Sequence, residues 1–433
     1  MTTPKIQFAK IKPELQKPDA WTSRVVKHPF FAWARRRSGT GKNGRLEPLL
    51  MIPFPDSVGY FYSAFTEFLG FQANSDEWKV MGLAPYGKPG VDLSSFIDLK
   101  VVPYHVHARQ MVANSTKPLA RMATLLGPAR VPENDIDDRH KDIAYAAQDA
   151  CEIAMMNVVR MAIEKTKCRN VCLAGGVALN SKANGKILAS GLVDQFFVQP
   201  AAADDGVALG AAMAPYLDHN GKLPSKPMRH GYWGPSFDDK AIESALRTYK
   251  LRYTQLPDPV STAAELLSQG KILGWFPGRM EFGPRALGSR SILADPRNLE
   301  MNAKVNNAVK FRERWRPFAP SLKKEAAGDY LESATDSPFM VLTAQVRPEK
   351  QSVIPAVTHV DGSARPQTVE KEINPLYWRL IDEFCKRTGV PVLMNTSFNL
   401  RGEAIVHTPT DAVRTFFSSG MDALVIGSFL VEK

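Results

Sequence analysis

The chain has 433 residues and a mass of 47.9 kDa, a length at which two domains of about 200 residues each are expected. A hydrophobic content of 44% and a charged content of 23% exclude a disordered, collagen-like or low-complexity protein. The net charge of +11 is uneven, because residues 1–50 hold 11 basic and 3 acidic side chains and residues 279–316 hold nine basic and four acidic. A short basic stretch in an otherwise neutral domain favours a small polyanion, such as a nucleotide or acyl phosphate, over a nucleic-acid backbone.

Two sequence features bear on the cellular compartment. Every apolar run is interrupted before the roughly 20 residues that a membrane-spanning helix needs, and the N-terminal residues MTTPKIQFAKIK lack the apolar stretch of a signal peptide. A cytoplasmic protein without a membrane partner is therefore expected. The cysteines lack CxxC spacing and predict reduced, buried thiols at Cys151, Cys168, Cys172 and Cys385.

The first predicted element is a basic, weakly structured segment over residues 1–50, where periodicity is low and turn residues are common. A core helix follows, because Phe61, Phe65 and Phe68 recur at helical spacing. The longest helical pattern covers residues 140–167.

Strand, glycine turn and helix then occur twice in succession. The predicted strand Asn170–Leu173 leads into Gly175 and Gly176, and the strand Gln195–Val198 leads into Asp204-Asp205-Gly206. Backbone N–H groups at such turns can bind a phosphate, and the carboxylates can hold a metal ion or a ribose hydroxyl. A purely structural turn and helix N-capping by aspartate are the alternatives.

A linker is predicted between residues 215 and 239, where glycine, proline and polar residues are frequent, and the domain boundary is placed near residue 235. Beyond it, helices and strands alternate, which predicts a second α/β domain. The predicted helices are 241–248, 261–269, 374–387 and 410–418, and the predicted strands are 272–276, 340–344, 390–394 and 423–426.

Arginines and glycines alternate directly after the predicted strand 272–276. Arg279, Arg285 and Arg290 stand among glycines, a pattern that suits phosphate because arginine binds its oxygens bidentately and glycine lets the backbone approach. A second basic run follows at Lys310, Arg312, Arg314 and Arg316. A solvated helix face is the alternative for this run, although the interspersed aromatic residues count against it.

Two polar loops complete the candidate residues. The first, from His359 to Arg365, places an imidazole, the Asp361 carboxylate and a guanidinium within seven residues. The second, residues 395–399, follows a predicted strand directly, and side chains at the carboxyl end of a strand often face a ligand cleft. Ordinary Asx-type turns are the alternative for both loops.

Taken together, these segments resemble the O-carbamoyltransferase family of NodU and CmcH over about residues 50–433. The motifs that carry the resemblance are DEWKVMGLAPYG, LAGGVALN, ADDGVALGAA, GRMEFGPRALGSRSILADPR, VKFRERWRPFAPS, HVDGSARPQTV and MNTSFNLRGEAIV. The resemblance implies an α/β fold in which a partial actin-like ATPase-fold domain (residues 51–235) is followed by a YrdC-like α/β domain (residues 236–433).

The chemistry that the resemblance implies is ATP-dependent transfer of a carbamoyl group from carbamoyl phosphate to a hydroxyl of a sugar or natural-product acceptor. Carbamoyl phosphate is cleaved in the second domain, the carbamate attacks the α-phosphate of ATP, and the first domain transfers the carbamoyl group from carbamoyladenylate. ATP and a divalent metal ion are the implied cofactors, with iron at the family's metal site and Mg²⁺ accompanying ATP.

The resemblance also implies residue roles. Cations and polar groups that grip carbamoyl phosphate and the ATP phosphates match Arg285, Lys310, Arg316, Arg365 and Ser397. Nucleotide-binding positions match Gly175, Gly176, Asn180, Asp205 and Gly206. Substrate-binding positions match His359, Asp361, Asn395 and Asn399, and the metal-binding aspartate matches Asp204.

One departure from the family concerns the N-terminal side. The HxxxH pair and the DGxGE-like motif, which complete the family's metal site, do not occur in this sequence. An incomplete metal site around Asp204 is therefore expected, together with a missing set of first strands that a separate, complementing polypeptide would supply. The alternatives are a truncated nucleotide-binding fragment that needs such a chain, and an RNA-binding protein, related to tRNA-threonylcarbamoylation factors, that uses the basic N-terminus.

Overall fold

The computed structural model describes residues 35–42, 45–53, 55–111, 119–132, 134–221, 227–313, 315–334 and 336–433. These residues divide into two compact units, one within 1–57 and 207–224 and the other within 58–206 and 225–433. The predicted weakly structured segment 1–50 falls outside the described residues up to residue 34, and Arg314 of the second basic run does so as well.

The strands in chain order are β1 (Arg35–Lys42), β2 (Arg45–Pro53), β3 (Ile97–Asp98), β4 (His105–Val106), β5 (Asn170–Leu173), β6 (Gln195–Val198), β7 (Thr254–Gln255), β8 (Leu273–Phe276), β9 (Ser291–Ala294), β10 (Ala319–Lys323), β11 (Ala344–Gln345), β12 (Ser363–Ala364), β13 (Gln367–Val369), β14 (Val392–Ser397), β15 (Ala423–Ile426) and β16 (Phe429–Glu432). The α-helices are α1 (Val58–Phe68), α2 (Glu77–Leu83), α3 (Ala108–Met111), α4 (Ala120–Leu126), α5 (Asp138–Thr166), α6 (Ser181–Ala189), α7 (Val207–Asn220), α8 (Asp239–Thr248), α9 (Pro259–Ser268), α10 (Glu300–Val305), α11 (Ala327–Tyr330), α12 (Pro348–Gln351), α13 (Pro375–Thr388) and α14 (Pro409–Phe417).

The smaller unit contains an antiparallel hairpin of β1 and β2 together with helix α7. In the larger unit, α1 buries Phe61, Phe65 and Phe68 completely, which confirms the predicted core helix. Helix α5 begins with a capping box, in which the Asp137 side chain accepts from the backbone N–H of His140 and the His140 ring accepts from the backbone N–H of Asp137.

An eight-stranded mixed sheet forms the core of residues 239–433. Its strand order is β13-β10-β14-β9-β8-β15-β16-β7, in which β13 is parallel to β10, β15 is parallel to β8 and the other neighbours are antiparallel. Every residue of β8, β9 and β15 is buried, which explains why β8 and β15 are continuous apolar runs rather than alternating ones. The α/β fold class is thereby confirmed.

Most helix and strand boundaries lie close to those that the local sequence patterns predict. Strands β5, β6 and β15 have the predicted bounds. Helices α9 and α14 begin two residues and one residue earlier than predicted, whereas α13 begins one residue later. In all three a capping residue precedes a proline, at Asp258-Pro259, Asn374-Pro375 and Thr408-Pro409, and proline fits the first turn of a helix.

The predicted strand 340–344 is wrong for all but its last residue, since only Ala344–Gln345 forms a strand. The apolar run instead packs on α6, where Thr343 donates its backbone N–H to the Ser181 carbonyl at 3.0 Å and the Asn184 side chain donates to the Val341 carbonyl at 2.9 Å. A Cβ on Gly185 would lie 2.2 Å from the Thr343 carbonyl oxygen, so this contact requires glycine. Burial against a helix produced the same apolar pattern as burial in a sheet.

In the described part of the chain, no helix combines the length and apolarity needed to cross a membrane. In the described residues, none of the four cysteines forms a disulfide. Cys151 is buried as predicted, but Cys168 and Cys172 are exposed, because β5 and the residues before it leave one face open to solvent.

Candidate active site

The loop between β8 and β9, residues 277–290 (the glycine-rich loop), folds around one buried carboxylate. Glu281 is 5% exposed and accepts hydrogen bonds from the backbone N–H groups of Leu287 at 2.6 Å, Ser289 at 2.8 Å and Arg290 at 3.1 Å. Three donors offset the cost of burying the charge. The sequence gives no signal for this role, since an isolated glutamate among glycines has no pattern.

The three arginines of the glycine-rich loop have different surroundings, although their spacing predicts a shared phosphate-binding role. Arg290 is fully buried and donates to the carbonyls of Pro277 at 2.8 Å and Gly278 at 3.2 Å. Arg279 donates to the carbonyl of Trp233 at 2.8 Å. Both side chains therefore stabilise the conformation of the loop. Arg285 is the arginine of this loop that interacts electrostatically with other basic residues.

The Arg285 guanidinium interacts electrostatically with one carboxylate, that of Asp205, and with a second arginine, Arg365. Burial lowers its pKa to about 10, and the negative charge of Asp205 opposes part of that change. The positive charge of Arg285 in turn lowers the pKa of Arg365. The Nε atoms of both arginines are buried without a hydrogen-bond partner among the described residues, and a bound oxyanion would provide one.

Lys310 is held at the end of a π-helical turn, Asn306–Lys310, a rare conformation that often occurs at functional sites. Its ammonium group is surrounded by oxygen atoms, with the Ser397 carbonyl at 2.5 Å, the Ser397 Oγ at 3.2 Å and the Asn399 Oδ1 at 2.7 Å. Burial, together with the neighbouring arginines, places the pKa of Lys310 well below its usual value. Lys310, Ser397 and Asn399 are thus brought together.

The remaining cations meet at the same place. Burial lowers the pKa of Arg365 well below its usual value, and the charges of Arg285, Arg312 and Arg316 lower it further. Burial lowers the pKa of Arg316 to about 10, opposed by the carboxylate of Glu313, which lies 3.4 Å from its guanidinium. Buried like charges repel strongly, and an anion placed among them would relieve that repulsion. Arg285, Lys310, Arg312, Arg316 and Arg365 are called the cation cluster below.

His359 and Asp361 face elements from the first half of the chain. The His359 Nε2 lies 3.1 Å from the Gly82 carbonyl oxygen, and burial lowers the pKa of this imidazole. Asp361 accepts from the Lys182 ammonium and the Ser363 hydroxyl, both at 2.6 Å. These contacts fix the loop that leads into Arg365, and the predicted substrate-binding roles of the two residues stay predictions.

Asn395 is 1% exposed and belongs to the interior of the sheet. Its Nδ2 donates to the Ala286 carbonyl at 3.2 Å and to the Ser321 hydroxyl at 3.0 Å. Since Ala286 follows Arg285 directly, this hydrogen bond restrains the backbone beside that arginine. The structure therefore gives Asn395 a direct contact with the glycine-rich loop.

The two predicted nucleotide turns lie side by side, because the Gly175 N–H donates to the Ala202 carbonyl at 2.7 Å. Gly175 has a φ of 98°, and the space beside Gly175 and Gly176 is open to 4 Å. Gly206 is needed for packing, since a Cβ there would lie 2.0 Å from the Ala201 carbonyl oxygen. Between the first turn and α6 the chain forms a 3₁₀ turn, Gly176–Leu179, rather than the continuous helix predicted.

Asn180 ends this turn and caps α6, accepting from the backbone N–H of Ala183 at 3.0 Å. Its side chain also exchanges two hydrogen bonds of 3.0 Å with Gln148 of α5. Gln148 in turn accepts from the Tyr62 hydroxyl at 2.6 Å and donates to Glu152 at 2.7 Å. This buried network fixes the Asn180 side chain. The sequence does not predict the network, because its members come from separate helices.

Asp204 and Asp205 form the second turn. Burial raises the pKa of Asp205, and the neighbouring charge of Asp204 adds to this effect. Within the described ranges, no group of three or more His, Cys, Asp or Glu side chains could hold a metal ion. A catalytic metal usually needs about three protein ligands, so the described residues alone do not fit the implied metal, and Asp204 stays a predicted ligand.

Two family models match the chain in succession. Residues 32–213 match the model described as carbamoyltransferase N-terminus, and residues 264–433 match that described as carbamoyltransferase C-terminus. The α/β fold, the cation cluster and these matches together define an enzyme of the carbamoyltransferase class.

The chain belongs to the carbamoyltransferase family. It is 40% identical to nodulation protein NolO of Bradyrhizobium diazoefficiens over 91% of this chain and 72% of that protein. It is 41% identical to nodulation protein NolNO of Sinorhizobium fredii over 91% of this chain and 58% of that protein, and 41% identical to the uncharacterized protein sll1178 of Synechocystis over 93% and 71%. The relatives are therefore longer than the region they share with this chain.

Proposed function

We propose that the protein is an ATP-dependent O-carbamoyltransferase that uses carbamoyl phosphate, forms carbamoyladenylate and carbamoylates a hydroxyl of a small acceptor such as a sugar. The observation that carries this proposal is the electrostatic coupling of Arg285, Arg316, Arg365 and Lys310 in one largely buried cluster. Carbamoyl phosphate and the ATP triphosphate are the oxyanions that such a cluster would bind. Family membership favours neither the RNA-binding alternative nor the inactive fragment.

In the proposed first stage, water displaces phosphate from carbamoyl phosphate to give carbamate, and a carbamate oxygen attacks the α-phosphorus of ATP with release of pyrophosphate. Charge accumulates on phosphoryl oxygens in both steps. The guanidinium groups of the cation cluster are already positioned and desolvated, which is the arrangement that stabilises such charge most strongly.

Lys310 has a supporting role in this scheme. Its protons are directed at oxygens of Ser397 and Asn399, so the ammonium group fixes the loop after β14 beside the arginines. The Ser397 hydroxyl donates to Asn399 Oδ1 at 2.7 Å and is held within this arrangement. Lys310 therefore orients the polar wall of the cluster while adding positive charge to it.

The proposed second stage uses the turns around Gly175 and Asp205 to hold the adenylate while the acceptor hydroxyl attacks. We assign these turns to an actin-like domain and the cation cluster to a YrdC-like domain, with the boundary near residue 235. The open space at Gly175 and Gly176 and the fixed side chain of Asn180 support this assignment. The metal ion of the family enters none of these steps, and a complementing polypeptide remains a proposed partner.

Release of pyrophosphate from ATP tests the first stage. The wild-type protein should release pyrophosphate only when carbamoyl phosphate is present, and Arg316→Ala and Arg365→Ala should each reduce the rate at least about a hundredfold, since each removes a buried cation from the developing charge. Arg247→Ala is the matched control, because Arg247 is an exposed α8 side chain paired with Glu243. Release that proceeds equally well without carbamoyl phosphate would contradict the proposal.

A further inference from the structure

The segment Glu77–Tyr86, which comprises α2 and the following 3₁₀ turn and is called the bracing segment here, lies outside the predicted C-terminal domain. It nevertheless contacts both loops that carry the cluster arginines Arg316 and Arg365. The bracing segment contains none of the predicted site residues and has no role in the mechanism above.

The contacts to the Arg316 loop are aromatic and ionic. The Arg316 guanidinium carbon lies 3.5 Å from the ring centroid of Trp78, and the Arg316 side chain is 17% exposed. The Lys79 ammonium lies 3.6 Å from the carboxylate of Glu313. The Tyr86 hydroxyl donates to the carbonyl of Trp315 at 3.3 Å.

The contacts to the Arg365 loop come from the same few residues. The Gly82 carbonyl oxygen lies 3.1 Å from His359 Nε2, and the Tyr86 ring packs edge-on to the His359 ring with centroids 5.5 Å apart. Tyr86 therefore touches both loops at once. A displacement of the bracing segment would move both arginine loops.

We propose that Trp78 is a positioning residue for Arg316, which it aims into the cation cluster. A guanidinium stacked on an indole is held through its face, so the N–H donors in its plane stay directed outward and can bind phosphoryl oxygens. One of those donors, Arg316 Nη1, lies 3.4 Å from the Glu313 carboxylate. The proposal rests on the proposed function, and it makes carbamoyladenylate formation dependent on residues from the first half of the chain.

A double-mutant cycle with Trp78→Leu and Arg316→Ala tests the proposal through pyrophosphate release. Trp78→Leu should raise the KM for carbamoyl phosphate about tenfold and also lower kcat, because it loosens a cation that binds the substrate and stabilises the developing charge. Trp78→Phe should restore most of the affinity, since a ring remains. In the Arg316→Ala background, Trp78→Leu should have no further effect.

Trp378→Leu is the matched control. Trp378 also lies against a cation, the Lys323 ammonium at 5.2 Å from its ring centroid, but it belongs to α13 rather than to the bracing segment. Calorimetric binding of pyrophosphate to the same variants provides a readout that needs no turnover, and thermal unfolding checks that each variant is folded. Unchanged KM and pyrophosphate affinity in Trp78→Leu, or an equal loss with and without Arg316, would overturn the positioning role. A wild-type protein that binds pyrophosphate but never releases it from ATP would instead overturn the proposed function.

Discussion

At Glu281, a single carboxylate accepts the backbone N–H groups of Leu287, Ser289 and Arg290 and so determines the path of the glycine-rich loop. Arg285 reaches the cation cluster only because this path is fixed. The residue that shapes the loop, Glu281, is therefore different from the residue proposed to bind the anion, Arg285.

Replacing Glu281 by Gln should lower the free energy of unfolding by about 2 kcal/mol, because an amide accepts fewer N–H groups and brings its own donors toward them. Urea titration measures this loss. Glu265→Gln on the exposed side of α9 is the control and should change stability by less than about 0.5 kcal/mol. Equal stability of the Glu281→Gln variant and the wild type would show that the carboxylate is dispensable.

Asp361 links the Arg365 loop to Lys182 of α6 and should make stability depend on pH. Burial acts to raise its pKa, but Lys182 and Ser363 bring the pKa below the usual 3.8. The stabilisation is therefore present above pH 3.8 and lost as the pH falls through the lower folded-state pKa.

Asp361→Asn should consequently lower the free energy of unfolding by about 1 kcal/mol at neutral pH, a modest value because both side chains are partly exposed. The difference from wild type should shrink toward zero in acid, as urea titrations at several pH values would measure. A difference that is the same at every pH would contradict the role of the ionised carboxylate.

At the scale of single elements, the glycine-rich loop depends on the close approach of α13. Gly288 has a φ of 96°, and a Cβ there would lie 2.1 Å from a ring carbon of Tyr377. Helix α13 can approach β9 only where the loop has no side chain. The glycine at this position is required by packing as well as by backbone conformation.

Gly288→Ala should therefore prevent stable folding or lower the melting temperature severely, which circular dichroism would measure. Gly389→Ala is the matched control, because Gly389 also has a positive φ, 76°, but no atom lies within 4 Å of its Cβ position. That variant should lose only about 1 kcal/mol from backbone strain. Similar losses in both variants would show that the contact with Tyr377 does not matter.

Elements that could be predicted from the sequence are those specified by neighbouring residues. The apolar runs of β5, β6 and β15 and the capped starts of α9, α13 and α14 depend on local patterns and chain stiffness. The run 340–344 was misassigned because an apolar segment that packs on a helix has the same composition as a buried strand. The π-helical turn that ends at Lys310 has no sequence signal.

For the whole molecule, the family resemblance implies a shared phosphate-binding role for Arg285, Lys310, Arg316 and Arg365. The structure brings these cations into one electrostatically coupled group, and their role stays a prediction. The contacts that support them could not be predicted, because Trp78 and Arg316 are far apart in the chain and share no periodicity. The bracing segment contacts the loops of the cluster only through packing between residues that are distant in the sequence.

The electrostatic interactions of Arg285 with both Asp205 and Arg365 have a consequence for ligand binding. An anion bound at Arg285 would strengthen the binding of a positive species at the Asp205 turn, by the same energy with which that species would strengthen anion binding. Anion binding at the arginines and cation binding at the aspartates would thus be thermodynamically linked without any movement of the backbone. The Arg285 guanidinium accounts for this coupling, because it interacts with both Asp205 and Arg365.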